Sequence, residues 1–464
     1  MDDTQTPPAI LAKETELHHA ARLLDELDAH PEDSERIKAE LAAIDPADLA
    51  DEFEQLSAES RESLVAVMPE FLSGEVLAEL ESDIVEDVLP LLPTEAIAEA
   101  ISELDSDDAT QIVEELDLAQ RAEVLDALDP EDRADLEEAL SFDEDEIGRL
   151  MQREYVAAPL GWNVGRTIDH MRSQTEKGGA ELPERFFNIY IVDEAFRPQG
   201  YVPISKLMRS ARSVRLSDIV ETPLRVIEER MDKEEAARIF ETYHLISAPV
   251  VDEDGVIRGV MTADDIIDII QDENAEDLLA LAGVSETTAS DTALETVRAR
   301  APWLLVNLGT AILASLVIAL FDEAIAKLVA LAVLMPIVAS MGGNAGTQAL
   351  TVAVRQLTEG DLTPKTAWRA IRREAKAALI IGLIFAVAMA VIAYIWFREP
   401  GLALVIFIAM IVNHIFAGLA GILVPLGLKR MGADPAVASS VFVTTVTDVV
   451  GFFAFLGLAV LLLL

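Results

Sequence analysis

Phe442-Val-Thr-Thr-Val-Thr-Asp448 lies within a longer segment, Pro435 to Leu464, in which Asp448 is the only charged residue, with thirteen uncharged residues before it and sixteen after. A helix needs about 20 apolar residues to cross hydrocarbon, so this segment is long enough to span a membrane. An aspartate at the centre of such a helix costs roughly 2.5–3.5 kcal/mol on insertion scales and therefore faces a bundle interior or a water-filled path. Two readings compete: a structural acid hydrogen-bonded between helices, and a carboxylate in an ion pathway. Thr444, Thr445 and Thr447 lie within a turn of it, and no membrane-embedded Lys or Arg is available to neutralise it, which favours the ion pathway.

Working outward, further uncharged runs cover Ala301 to Phe321, Leu328 to Val354, Ala377 to Phe397 and Gly401 to Leu428. With the Asp448 segment they predict five spans. Arg298 and Arg300 precede the first, Arg355, Lys365, Arg369, Arg372, Arg373 and Lys376 surround the connection between the second and third, and Lys429 and Arg430 follow the fourth. The positive-inside rule then places the N-terminal half in the cytoplasm and Leu464 at the outer face of the cell (inner) membrane. An odd number of spans without an inverted repeat points to a pathway built by more than one chain, and a symmetric dimer is the commonest solution.

The second span carries Met341-Gly-Gly-Asn-Ala-Gly-Thr-Gln348, with Gly342 and Gly346 four apart, a spacing that lets helix backbones approach closely. Asn344, Thr347 and Gln348 in the same turn are candidates for pore lining or packing, because amides in lipid need partners or water. So are Thr444 and Thr445, and Asn413 on the fourth span, which shares a face with Ala417 and Gly421. His414 beside it reads as a packing histidine. No His-Glu-x-x-His pair occurs, which excludes that type of intramembrane metalloprotease, and no phosphate-binding loop or catalytic constellation suggests an enzyme.

The formal net charge of −47 is unevenly distributed: residues 301–464 carry net +2 and residues 1–300 net −49. Such a front half repels nucleic acid and invites cations. An acidic solvating surface explains the charge equally well, and the shortage of Lys (nine against 26 Arg) fits that reading. With no cysteine, disulfides and thiolate metal sites are excluded. Residues 1–31 read as a flexible N-terminal segment, with no apolar signal sequence in Met1 to Ala43.

From Asp45 a turn-like position recurs every twelve residues: Asp45-Pro46, Ser57, Pro69, Glu81, Pro93, Asp105, Asp117, Asp129-Pro130 and Ser141. Short helices with Ser or Asp as N-cap and Pro at the first helical position fill each period, predicting an acidic all-α superhelix over 32–150. Residues 151–272 alternate β-rich runs, Phe187 to Asp193 and Ala248 to Asp252, with amphipathic helices, as two similar β-α units. Residues 273–300 read as a connecting helix. The helix leaving the second unit carries Asp265, Asp268, Asp272, Glu273, Glu276 and Asp277 at spacings of three and four, where like charges repel unless a hard divalent cation joins them.

Gly259-Val-Met-Thr-Ala-Asp-Asp-Ile-Ile-Asp-Ile-Ile270 resembles the closing signature of a CBS domain, and the two units resemble a CBS tandem. That implies a regulatory module binding ions or adenine nucleotides such as ATP, with Thr262 and Asp265 in the places of ribose contacts. The first unit departs from the pattern, with Pro203 and Lys206 at the equivalent positions. The whole assembly resembles the MgtE family of magnesium channels, through the module order and through Gly342-Gly-Asn-Ala-Gly-Thr-Gln348, Asp434-Pro-Ala-Val-Ala-Ser439 and Phe442-Val-Thr-Thr-Val-Thr-Asp448 with Gly451. The resemblance implies a multidomain membrane protein that works as a homodimer in the lipid bilayer. Asp448 would be the pore carboxylate for hydrated Mg²⁺, and Asp265, Asp268, Glu273, Glu276 and Asp277 the metal-sensing acids. Gln111 stands where that pattern expects an acid. A proton-coupled divalent-cation exchanger or exporter and a non-conducting CBS-regulated receptor are the alternatives.

Overall fold

The computed structural model describes residues 22–23, 34–41, 43–177, 182–183, 185–284, 293–358, 362, 366–431, 435–436 and 439–464. The expected flexible segment 1–31 lies, apart from 22–23, outside them. The chain divides into two compact units, 1–270 and 271–464.

The twelve-residue period is visible as helix starts. Asp45, Ser57, Glu81, Pro93, Asp105, Asp117 and Asp129 are the N-cap residues of helices of seven to ten residues. Three cap with their side chains: Asp45 accepts from the Ala47 amide at 3.1 Å, Ser57 from Ser60 at 3.2 Å, and Asp117 from Ala119 and Gln120 at 2.8 and 2.9 Å. Each bond satisfies an amide that the helix geometry leaves without a partner. Arg61 and Arg121, both four residues past an N-cap, donate to carbonyls at and just beyond the end of the preceding helix, Glu54 and Leu56 in one case and Glu114 and Leu116 in the other. The period breaks twice. Pro69 begins a single 3₁₀ turn, Pro69–Phe71, and the α-helix of that period starts late at Gly74, which packs against the Ala100 carbonyl where a Cβ would come within 2.4 Å. Ser141 starts no helix: the chain turns there and runs on to Glu146, which bridges to Asp232. Phe53, Leu64, Leu77, Leu89, Ile97, Ile101 and Ile112 fill the core between the helices.

Two three-stranded sheets follow. In the first, β1 (Ala157–Pro159) pairs parallel with β2 (Asn188–Val192), which pairs antiparallel with β3 (Pro198–Pro203). In the second, β4 (Ile227–Glu228), β5 (Ser247–Val251) and β6 (Ile257–Thr262) repeat that order. The crossover helices are Val164–Lys177 and Lys233–Tyr243. Both units shift register at matching positions, Ile191/Val192 and Val250/Val251. The central strands are buried on both faces, which explains why they read as apolar runs rather than alternating ones.

After β6 the helix Ala263–Ala282 runs without a break across the boundary expected at 272/273 and ends at Gly283, whose φ of +70° stops the helix at low cost. The next helix starts at Ala293. Residues 273–300 are therefore not one connecting helix, because Gly283 supplies a left-handed stop.

Among the described residues, five helices are long and apolar enough to cross a membrane: the first span Thr296–Ala319, the second Ala330–Thr358, the third Ala367–Phe397, the fourth Pro400–Arg430 and the fifth Ser440–Leu463. The third begins ten residues before its uncharged run, because a helix continues its backbone hydrogen bonds into the polar interface where charge is tolerated. The fourth is the most buried and packs against the second, third and fifth. Small residues make the contacts: a Cβ on Gly421 would meet the Ala349 side chain at 2.6 Å and the Gly346 carbonyl at 2.8 Å, and one on Gly418 the Ala378 side chain at 2.8 Å.

Candidate ion-pathway and sensing residues

Asp448 stands half-buried on the fifth span. No hydrogen bond or ion pair among the described residues reaches its carboxylate. The neighbouring threonines do not serve it: Thr444, Thr445 and Thr447 donate to the carbonyls of Ser440, Val441 and Thr444 on their own helix, at 2.8, 2.6 and 2.9 Å. The reading of Asp448 as an acid hydrogen-bonded between helices within one chain thus has no partner here.

The glycine-rich turn of the second span splits its roles by face. Gly342 and Gly346 are buried, while Asn344, Thr347 and Gln348 are exposed. Gly342 abuts Asn413, with Nδ2 2.1 Å from where a Cβ would stand, and Gly346 abuts Val443 at 2.6 Å. Asn413 is fully buried, donates to the Val338 carbonyl at 2.8 Å, and also touches Gly451, one turn beyond Asp448. It is a packing amide that ties the glycine turn to the Asp448 helix. His414 hydrogen-bonds the Met410 carbonyl at 2.8 Å and stacks on Phe385, as a packing histidine does.

Within residues 1–270 the acids converge more closely than their spacing in sequence suggests. Asp265 accepts from the Thr262 hydroxyl at 2.5 Å and its amide at 3.3 Å. It also lies close to Asp107 and Asp108, which start the helix Ser106–Glu115. Burial, then the Asp265 charge, pushes Asp107 well above the ordinary carboxylate range and Asp108 up to about 7. Burial also raises Asp265, against the lowering effect of its Thr262 bond. Glu79 is raised by burial, then by Asp45 and Asp268. Asp268 and Glu276 are exposed and Glu273 and Asp277 half-buried; in the second unit the Thr358 hydroxyl donates to Asp277 at 3.2 Å.

The contact between superhelix and sheets is polar. Gln152 donates to Asp105 at 2.6 Å, the Ser106 amide and hydroxyl donate to Glu154 at 3.2 and 2.9 Å, and the Arg153 amide donates to the Ser106 hydroxyl at 2.7 Å. Sequence reasoning reaches Asp107-Asp-Ala-Thr-Gln111 only through the family resemblance, without setting Asp107 and Asp108 beside Asp265, and it misses Glu79. The available signal was Asp105-Ser-Asp-Asp108, an acidic helix start matched in density by Asp129-Pro-Glu-Asp132 and therefore not distinctive by itself. Among the described residues no group of three or more acidic or histidine side chains is arranged to hold a metal. The cluster concentrates negative charge, which makes it chemically suited to a hard, oxygen-preferring cation.

Thr262 lines a small cavity with Tyr155, Arg185, Phe186, Tyr190 and Ser247. The two repeats meet there, the Tyr190 hydroxyl at 2.8 Å from Ser247 and the Asn188 amide donating to Ser247 at 3.0 Å. Asp265 is not among the lining residues; it reaches the cavity only through Thr262.

Three family models match the chain: a divalent cation transporter domain at residues 335–458, the MgtE intracellular N domain at 44–145 and a CBS domain at 216–272. Magnesium transporter MgtE of Bacillus subtilis is 30% identical over 321 residues, 69% of this chain and 70% of that one. Magnesium transporter MgtE of Thermus thermophilus is 32% identical over 332 residues, 70% of this chain and 72% of that one. Among solved structures, the cytosolic domain of the Mg²⁺ channel MgtE in complex with ATP is 30% identical and covers 54% of this chain and 99% of its own, with a TM-score of 0.49. With module order, motifs and relatives in agreement, the chain belongs to the MgtE family.

Proposed function

We propose that this protein conducts Mg²⁺ into the cell, down its electrochemical gradient, through a pore on the axis of a homodimer. The observation that carries the reading is Asp448: a carboxylate inside a spanning helix with no partner among the described residues, in a family whose relatives are named magnesium transporters. A second copy would bring a second Asp448 to the axis, and a cation between them offsets the repulsion that two such acids otherwise suffer. Mg²⁺ sheds water reluctantly, so a wide polar site selects it by its hydration shell. Exposed Asn344, Thr347 and Gln348 are free to meet that shell. The membrane potential supplies about 2.3 kcal/mol per elementary charge per 100 mV, doubled for a divalent ion, so no ATP hydrolysis is required. The positive-inside rule puts residues 1–300 in the cytoplasm.

Regulation follows from the acids. Asp265 with Asp107 and Asp108, Asp268 with Glu79, and Glu273, Glu276 and Asp277 further along the helix would hold Mg²⁺ when its internal concentration is high and favour the closed pore. As Mg²⁺ falls, their repulsion favours opening. The cavity at Thr262 is the place for an adenine nucleotide such as ATP to tune this balance.

The test is Mg²⁺ influx into proteoliposomes under an imposed potential, for the wild type and Asp448→Asn. Influx that Asn abolishes and internal Mg²⁺ shuts is expected; influx indifferent to Asp448 overturns the pore. Holding voltage constant while collapsing the pH gradient separates a channel, whose flux persists, from a proton-coupled exchanger.

A further inference from the structure

The third span, Ala367–Phe397, leaves one face uncovered along its length, with Leu379, Ile380, Leu383, Val387, Val391 and Tyr394 all exposed. Its first three turns set Trp368, 67% exposed, beside exposed Arg369, Arg372, Arg373 and Lys376. At about 100° per residue these five side chains share an arc of about 140° with Leu379, Leu383, Val387 and Tyr394. The cationic patch is thus the upper end of the same outward face.

Depth is fixed by the tryptophans. Trp368 and Trp396, both exposed, are separated by about 42 Å at the helical rise, against about 40–45 Å for a bilayer with its headgroups. Tryptophan favours the interface, so Arg369, Arg372, Arg373 and Lys376 stand at headgroup level in one leaflet. None of the four makes an ion pair among the described residues; Arg373 donates to the Gln356 side-chain oxygen at 3.4 Å. The nearby acid, Glu374, is half-buried and packs by Gly418. The positive end of the helix dipole adds to the mutual repulsion of these cations. Four cations at headgroup depth, continuous with an apolar stripe, match a ligand with an anionic head and acyl tails.

We infer that the Trp368–Lys376 face binds anionic phospholipid, with Arg369, Arg372, Arg373 and Lys376 engaging the phosphate and Trp368 seated beside it. A soluble anion would use the charges but not the stripe.

The test uses the full-length chain with Trp162, Trp303 and Trp396 replaced by Phe, reconstituted in vesicles with equal fractions of brominated phosphatidylglycerol or brominated phosphatidylcholine. Quenching of Trp368 about twofold stronger by the anionic lipid is expected, weakening in high salt. Changing the four cations to Gln removes the preference but keeps quenching by phosphatidylcholine, and changing the three arginines to Lys retains the preference, which guards against misfolding. Equal quenching by both lipids overturns the inference, as does a preference that survives the Gln changes or that inorganic phosphate abolishes. Flux is not read, so failure here leaves the pore reading untouched.

Discussion

The two β-α repeats of residues 151–282 share a backbone and differ at the position where each third strand ends. In the second, Thr262 leads to Asp265, close to Asp107 and Asp108; in the first, Pro203 leads to Lys206, which pairs with Glu221 at 2.9 Å. The fold is therefore held by something other than those positions. Gly200 and Gly259 occupy the same place, and each admits a neighbouring strand: Tyr201 exchanges hydrogen bonds with Glu221, which enters the second repeat, and Val260 with Gln152, which enters the first. Each repeat is thus edged by the chain that leads into the other, while its strand end is left free to specialise.

The largest effect falls on these glycines. A Cβ on Gly200 would meet Val220 at 2.5 Å and the Glu221 carbonyl at 2.8 Å, and one on Gly259 the Gln152 carbonyl at 2.5 Å. Carbonyls of a paired strand cannot step aside, so Gly200→Val and Gly259→Val should each cost about 3 kcal/mol. Hydrogen exchange of β2, β3, β5 and β6 in the full-length protein reads the loss. If only one substitution matters, the repeats are not equivalent in what holds them.

The next effect separates the repeats by charge. Asp108 has its folded pKa raised from the ordinary 3.8 to about 7, so between those values the folded state binds more protons than the unfolded one. Stability must then fall as pH rises through that window and level off above it. Without Mg²⁺, the helix Ser106–Glu115 should be less protected at pH 8 than at pH 5.5 by about 1 kcal/mol, after discounting for solvent screening. Asp108→Asn should flatten that slope, and Mg²⁺ at pH 8 should restore protection. The Lys206 end of the first repeat should respond to neither.

A third contrast lies in the hairpin turns. The second repeat turns at Gly255 with φ +77°, where the first places Phe196 at φ +57° with its side chain 57% exposed. A left-handed conformation costs an ordinary residue about 1–2 kcal/mol, part of which glycine returns through the freedom of the unfolded chain. Phe196→Gly should stabilise the first repeat by roughly 0.5–1 kcal/mol, and Gly255→Phe should destabilise the second by roughly 1 kcal/mol, both by hydrogen exchange.

The architecture was legible because its signals are local. N-caps at twelve-residue spacing, apolar strands between helices and five long uncharged runs each state their structure within a short window. What the sequence hid depends on contact. In one dimension Asn413 reads equally as pore lining or packing, and only its fit against Gly342 and Gly451 shows it as a packing amide. Asp107 and Asp108 stand more than 150 residues before Asp265 in the chain, and nothing in a linear pattern brings them to it. The stop at Gly283 hid because a glycine in an acidic helix is equally consistent with continuation.

The smallest effect tests whether the strand end of the first repeat matters to the fold at all. Lys206 and Glu221 are 35% and 40% exposed, so their ion pair is screened by water and offset by the entropy of holding a long side chain. Lys206→Ala should cost no more than about 0.5–1 kcal/mol, because Glu221 keeps enough solvent to remain charged alone. Asp265→Ala at the matching position should instead relieve repulsion on Asp107 and Asp108 and shift the Mg²⁺ dependence of helix Ser106–Glu115. A Lys206→Ala cost well above that range would mean that the first repeat has turned its site into a structural clamp; a small one means that it has let the site lapse, since the paired edges at Gly200 and Gly259 already hold both repeats.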